Sequence, residues 1–487
     1  MAPYFLRNLV PRREKQEGSR PLFTVLASLT WLQWAQFLSG WFAWTCDAID
    51  FFSVSLSVVH LREQFGKTTH EITTAITLTL LFRSAGAVIF WRYFRPLGRK
   101  WPLVANLVLV AALELGAGFV HNFQEFLALR SLFGIGMGGI WGLAASTPST
   151  NLPEGYAVGY LIAAVINLYL VPAVSAGWRS LFWMAAGLSL LAAIFRALLP
   201  ESEVFLKAKA AEKAKGVQQS TKKKTAIFFH ELKEMLRTHW KLCIYAVLLM
   251  TGFNFLSHGS QDLYPTYLQT SKNFSAHNAT VATIIGNCGA ISGGIFAGWL
   301  SQLIGRRLTI VLHVLLVGAF IPLWILPSSF GSLSAGAFWL QFGVQGAWGV
   351  IPIQLAEMSP PAFRATFPGV AYQIGNMISS ASAQIEATGG NNLRTTIIQD
   401  GVPTDVPDYA LVQGIFIGVV AAFVIFITIV GPENHGSHFE QHKAAFEEGA
   451  ARDDAVREED EVPQRRESDT ESANEKHHEK ASIEKVG

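Results

Sequence analysis

The 487-residue sequence predicts an all-α, polytopic membrane protein with twelve transmembrane helices in two six-helix bundles. Three observations carry that reading. Half of the residues are apolar and only 15% are charged, against about 25% in an ordinary soluble domain. Apolar runs close to the roughly 20 residues that cross a hydrocarbon core as a helix recur twelve times. Lys and Arg gather in alternate connections, the pattern of loops kept on the cytoplasmic side. The composition excludes a disordered chain, a collagen-like fibre and a disulfide scaffold. It also leaves too few charges to cover a soluble two-domain enzyme.

The chain opens on a cytoplasmic N-terminal segment, 1–33, bearing Arg7, Arg12, Arg13, Lys15 and Arg20. It is no cleavable signal, because the first apolar run begins after some 30 residues and is too long for one. The first bundle, 34–199, holds spans near 34–58, 74–93, 103–120, 126–146, 156–172 and 180–199. A basic central loop, 200–240, follows, with nine Lys and Arg from Lys207 to Arg237. Ile227, Phe228, Leu232, Met235 and Leu236 are spaced as one helical face, which predicts a short helix on the inner membrane surface. The second bundle, 241–431, holds spans near 241–261, 280–303, 308–327, 335–357, 368–388 and 410–431. The tail, 432–487, is too charged to bury a core and is expected to be disordered in the cytoplasm.

The net charge of +2 hides an asymmetry. The last 56 residues carry 16 Asp and Glu against 8 Lys and Arg, so the body is strongly positive. That excess lies in the loops predicted to face inward, and it is no nucleic-acid footprint. Both termini are placed in the cytoplasm, and the Asp-bearing loop before span twelve outside. The tail is a candidate contact for a kinase or ubiquitin ligase. Cys46, Cys243 and Cys288 all fall in apolar runs and are read as small buried hydrophobes, with neither disulfide nor metal spacing.

The halves echo each other. Gly86 precedes Gly98-Arg99-Lys100 by 12 residues, and Gly294 precedes Gly305-Arg306-Arg307 by 11. Repeated bundles are the architecture of many secondary transporters, with the substrate site between them near mid-membrane. Gly98, Arg99, Lys100, Arg130, Arg306 and Arg307 are therefore read as gating or packing positions, Arg130 because it begins the small-residue run Gly134, Gly136, Gly138 and Gly139.

An ionisable side chain at mid-membrane costs about 2.5–3.5 kcal/mol on insertion scales, so each one is a functional candidate. Asp47 and Asp50 share a face of span one, Arg83 lies in span two, Glu114 in span three and Arg130 in span four. In span seven, Asn254, Ser257, His258, Gln261 and Asp262 form a continuous polar stripe at helical spacing. His258 and Asp262 are one turn apart and can share a proton near neutral pH. Arg83 offers the planar fork that matches a carboxylate; an internal ion pair to Asp47, Asp50 or Glu114 is its alternative. Gln373 and Asn376, on one face of span eleven, can hydrogen-bond a hydroxyl or carboxylate or serve as interhelical glue. The chain has no GxxxxGK[ST], GxSxG, HExxH or CxxC segment, so neither an enzyme nor an ATP-driven pump is expected, and no cofactor is called for.

The stretch from Asn254 to Thr266 reads N-x-x-S-H-x-S-Q-D-x-x-x-T, which resembles the signature of the fungal Jen-type monocarboxylate:proton symporters. These belong to the sialate:proton symporter family of the major facilitator superfamily. Leu81 to Phe90, Gly98 to Pro102, Arg130 to Trp141, Gly155 to Asn167 and Tyr372 to Asn376 extend the resemblance over about 30–435. It implies import of lactate, pyruvate, acetate or related short-chain acids with a proton across the plasma membrane. Asn254, His258 and Asp262 would then serve substrate and proton, while Arg83, Gln373 and Asn376 line the path. Two departures stand out. Arg95 occupies the position where the superfamily usually has an Asp ahead of Gly-Arg-Lys. The connection between spans four and five is short, with three residues from Pro153 to Tyr156 against eleven from Pro361 to Tyr372 in the second half. The rivals are a facilitator for another solute, such as a sugar or sialic acid, and a non-transporting sensor acting through its tail.

Overall fold

A computed structural model describes residues 24, 27–94, 100–144, 154–201, 221–360, 363, 367–399 and 401–432. Gly98, Arg99, Arg95, the short connection ahead of span five and nearly all of the tail lie outside them.

All twelve predicted spans are helical. The first half comprises α1 (Trp31–Phe65), α2 (Thr69–Phe94), α3 (Lys100–Ala117), α4 (Phe123–Ala144), α5 (Glu154–Tyr169) and α6 (Arg179–Leu198). Helix α7 (Thr221–Thr238) leads into α8 (Trp240–Gln261) and α9 (Tyr264–Thr270). Then come α10 (Ala276–Ile304), α11 (Arg306–Ile325), α12 (Phe330–Met358), α13 (Phe367–Ser379), α14 (Ser382–Asn392) and, after a hairpin, α15 (Tyr409–Val430). Among the described residues, nine helical stretches are long and apolar enough to cross a membrane, including 19 residues from Gly155 to Ala173. The fifth span thus reaches membrane length by continuing from α5 through the short 3-10 turn Val171–Ala173.

Local chemistry sets the ends. The Thr30 hydroxyl accepts from the Gln33 backbone N–H, and the Gln33 side chain accepts from the Thr30 backbone N–H, a reciprocal cap that starts α1. Gly66 closes α1 with φ 62°, a left-handed turn that glycine adopts without a Cβ clash.

Close packing of α2 on α4 follows from glycine. A Cβ on Gly134 or Gly138 would strike the backbone oxygen of Thr79 or Arg83, and one on Gly86 would strike that of Ile135. The second half repeats the device between α10 and α12, where Gly289 and Gly293 lie against the carbonyls of Phe338 and Phe342. The sequence echo around Gly86 and Gly294 is thus one of packing as well as spacing, since Gly349 presses on the backbone of Gly294.

Two expectations are corrected, for span eleven and for the cysteines. Span seven, predicted over 241–261, is the single helix α8; the chain then resumes at Tyr264 as α9, with Pro265 in the first turn of the new helix, where a missing N–H costs nothing. Span eleven, predicted over 368–388, is not one helix: it breaks between Ser379 and Ser382. The connection before span twelve folds as an antiparallel hairpin, β1 (Arg394–Gln399) on β2 (Val402–Pro407), with Thr396 opposite Asp405, a small addition to the α-helical fold. Cys46 is buried, but Cys243 is half-buried and Cys288 exposed; Cys288 lies on the outer face of α10, where the solvent of a membrane helix is lipid. The predicted helix near 227–236 is α7, whose Met235 is buried and packs with Leu232 against the core of the second half.

The two halves meet along α2 with α13 and α14, and along α5 with α10. Ser84 Oγ donates to the Gln373 carbonyl (3.0 Å) and Thr77 Oγ1 to the Ser380 carbonyl (2.9 Å). Gln384 Nε2 donates to the His70 carbonyl (3.0 Å) and to Thr74 Oγ1 (3.0 Å), and Thr388 Oγ1 lies 3.1 Å from His70 Nδ1. Asn167 Nδ2 donates to Thr280 Oγ1 (3.1 Å). These bonds join the halves from the middle toward the end where α2 and α10 begin, shutting that end.

Candidate functional site

Arg83 is 1% exposed, held by the α2–α4 contact with its guanidinium toward the middle of the molecule. Asp47 of α1 approaches Nη2 at 3.5 Å, close enough for attraction but too far for a hydrogen bond. Arg83 Nε and Nη2 and both Asp47 oxygens have no hydrogen-bond partner. The guanidinium stands over two rings, 5.5 Å from that of Trp44 and 5.1 Å from that of Tyr372 across the bundle interface. The internal ion pair considered from sequence is therefore present, in a loose form that leaves two donors open.

Asp50, predicted to share a face with Asp47, turns to other partners. Its Oδ2 accepts from Ser189 Oγ of α6 at 2.7 Å. Arg130 lies near it but is committed to Glu114 (2.5 Å) and donates only to the Asp50 carbonyl (3.3 Å). Three carboxylates, Asp47, Asp50 and Glu114, and two guanidiniums, Arg83 and Arg130, are thus buried together in the middle of this half.

Across the interface the predicted stripe of α8 is buried along its whole length. Burial holds even at Asp262, which ends α8 yet is 0% exposed because α9 continues inside the molecule. His258 Nδ1 lies 3.1 Å from Asp262 Oδ2, and its Nε2 lies 3.2 Å from Asn376 Oδ1. The ring is bracketed by acceptors on both sides and meets Phe51 of α1 edge-on, with centroids 5.6 Å apart. Ser257 Oγ donates to Gln261 Oε1 (3.2 Å) and accepts from Gln345 (3.3 Å). Asn254 Nδ2 and Gln373 Oε1 are buried without partners. Gly375 lets α13 approach this point, since a Cβ there would come within 2.9 Å of Asn254 Nδ2. The structure therefore brings Asn254, Ser257, His258, Asp262, Gln373 and Asn376 together on α8 and α13, with Arg83 and Asp47 on the facing half.

Of the predicted gating residues that are described, Lys100, Arg306 and Arg307 sit elsewhere. Arg306 grips Glu357 through two bonds (3.1 and 3.0 Å), and Arg307 donates to the carbonyls of Thr428 (3.0 Å) and Ile429. Both pin helix ends in the second half. The Lys100 backbone N–H donates to Glu201 (3.1 Å) in the first half. The Arg130–Glu114 pair ties α4 to α3.

Several neighbours were not singled out from sequence. Gln341 and Gln345 of α12 bond the stripe, Gln341 through Gln261 (3.1 Å) and Ser260 (3.0 Å). Their i, i+4 spacing in an apolar span was the available signal. Tyr160 of α5 donates to the Gln261 carbonyl (3.2 Å) and stacks on Phe52 (centroids 3.7 Å apart). Glu386 of α14 is 0% exposed, and its signal was a charge inside the eleventh apolar run. Tyr160, Ser260, Gln261, Asn287, Trp324 and Gln341 border a narrow cleft with room for about one water molecule.

Residues 34–383 match the sequence profile described as Major Facilitator Superfamily. The chain is 35% identical over 430 residues to a "Carboxylic acid transporter protein homolog" of Saccharomyces cerevisiae, covering 84% of this chain and 69% of the relative. It is 24% identical to the "Cis,cis-muconate transport protein" of Acinetobacter baylyi, covering 75% of this chain and 90% of the other. Among solved structures it resembles a D-xylose-proton symporter with a TM-score of 0.61 at 16% identity, covering 83% of this chain and 99% of that one, a likeness of fold.

Proposed function

The chain belongs to the Major Facilitator Superfamily, and on that footing we propose that it is a proton-coupled symporter importing short-chain monocarboxylates across the plasma membrane by alternating access. Lactate and pyruvate are the first substrates, with acetate and small dicarboxylates as further candidates. The observation that carries this reading is Arg83: a buried guanidinium with two open donors, a loosely held counter-ion and two flanking rings. A small organic acid supplies the two acceptors such a fork lacks. The names of the yeast and Acinetobacter relatives support the same class of solute.

The roles follow from the geometry. Arg83 takes the carboxylate, and Asn254, Ser257, Gln373 and Asn376 offer polar contacts from the other half. His258 and Asp262 hold a proton between them, with Asn376 fixing the far side of the ring. In the first half three buried carboxylates face two guanidiniums. Burying an unbalanced charge is costly, so a proton on the Asp47–Asp50 cluster restores neutrality. That surplus supports a coupling role for both aspartates.

Uptake of labelled lactate by transporter-null cells expressing the chain, with alkalinisation of the medium, tests the proposal. Absence of uptake of any short acid at pH 5 would sink it. The rival is import of an uncharged hydroxylated solute such as a sugar, for which the amides and hydroxyls beside Tyr160 would be the contacts. Competition decides between them, because excess lactate displaces a carboxylate substrate and leaves a sugar untouched.

A further inference from the structure

One buried acid has no part in the cycle above. Glu386 lies on α14, 0% exposed. Its Oε2 accepts from Gln413 Nε2 of α15 at 2.7 Å and its Oε1 from Ser382 Oγ at 3.3 Å. Both partners are neutral. Glu357, by contrast, has Arg306, and Asp262 has the His258 ring.

Gln413 supplies a second, independent observation. It is also 0% exposed, and its Oε1 has no partner. An ionised Glu386 leaves that amide oxygen orphaned and adds a charge without an ion pair in an apolar interior, both costly. A protonated Glu386 removes both costs, because its O–H donates to the amide oxygen while the amide N–H donates back.

Among the described residues, Glu386 has no ion pair; Arg62 and Arg394 come within electrostatic reach of the neighbouring Tyr409 only. From α8, Asp262 lies within electrostatic reach and adds negative charge. From α15, Tyr409 faces the same region. From β2, Asp405 is bound to Arg394 at the surface. From α2, His70 meets the opposite side of α14, through Gln384 and Thr388. The short helix α14 therefore carries the latch to α2 on one side and, on the other, an acid with no ion pair among the described residues.

We infer that Glu386 is a second proton site, which must be filled for the α2–α14 latch to shut. With the latch open, water reaches α14 and a hydronium ion gives the carboxylate its proton, one O–H bond forming on Glu386 as one breaks on the hydronium, which leaves as water. With the latch shut, water is gone and only the neutral acid is tolerated. The place of this site in a transport cycle rests on the symporter reading; its occupancy does not.

The test uses the purified full-length protein and the variant Glu386→Gln. In infrared difference spectra at pH 7, the wild type is expected to show a carboxylic-acid carbonyl band that E386Q loses. In proteoliposomes, the ratio of lactate uptake at pH 5 to that at pH 7 is expected to fall by at least about two-fold in E386Q, because a titrating group has been fixed in its neutral shape. A band that survives the substitution, or a ratio equal to the wild type, overturns the inference. Should E386Q fail to fold, Gln413→Leu replaces it: loss of the acceptor is expected to shift the band, and an unmoved band overturns the inference. A wild type that moves no short acid defeats the symporter reading, while the infrared experiment still decides Glu386.

Discussion

A single guanidinium shows how far residue chemistry reaches in this molecule. Arg83 was legible in the sequence because a cation inside an apolar run has few bland explanations. Its loose pairing was not, since 3.5 Å against 2.5 Å at the Arg130–Glu114 pair is a matter of helix placement. Arg83→Lys keeps the charge and removes the fork. Losing one charge-assisted hydrogen bond of about 1.5–3 kcal/mol is expected to reduce lactate uptake roughly ten-fold or more. Initial rates at equal surface expression measure it, and wild-type rates would remove Arg83 from the substrate path. The His258–Asp262 pairing was legible for the same reason, aided by spacing. Glu386 was harder to read: it stands near the end of its run, where a charge passes for an interfacial one.

At the scale of elements, glycine decides which helices touch. The Gly134–Gly138 run announced close packing, and the partner proves to be α2. Gly138→Ala pushes a methyl group into the Arg83 carbonyl and so shifts the residue that carries the proposed chemistry. Overpacking of this kind costs about 1–3 kcal/mol. Gly138→Ala is accordingly expected to lower the melting temperature in detergent and to depress uptake, while Gly187→Ala, which meets nothing within 4 Å, leaves both unchanged. Equal melting of the two variants would contradict the close contact. The break in span eleven was not legible. A search for about 20 apolar residues accepts 368–388 as whole, because the gap between Ser379 and Ser382 interrupts the backbone rather than the hydropathy. The hairpin escaped for a related reason. Arg394 to Pro407 carries β-branched residues on both sides of Asp400-Gly401, a turn signal, but a search for membrane spans passes over a segment so short.

For the molecule as a whole, the two halves are joined at one end by α2 against α13 and α14. Alternating access requires those bonds to break and re-form. A disulfide between Thr74→Cys and Gln384→Cys, in a background lacking Cys46, Cys243 and Cys288, should therefore abolish most uptake when oxidised and restore it when reduced. Full activity in the cross-linked form would mean that this end never opens. The two-bundle plan was legible from repetition and charge placement, because membrane solvation leaves so few alternatives. Which end is shut was not, since that depends on pairings such as Gln384 with His70 that no local pattern encodes.

The β1–β2 hairpin has a practical consequence. Its strands are clamped at the base, where the Asp408 N–H meets the Leu393 carbonyl (2.7 Å) and Ser271 donates to the Pro407 carbonyl (2.8 Å). Its tip turns at Gly401 (φ 80°) with Ile398 and Val402 largely exposed. It is thus a handle set apart from both helical bundles. An epitope inserted at Gly401 should leave folding and uptake intact. Antibody staining of unpermeabilised cells would then report the sidedness of the whole chain, with a bright surface expected and a dark one reversing the assigned orientation.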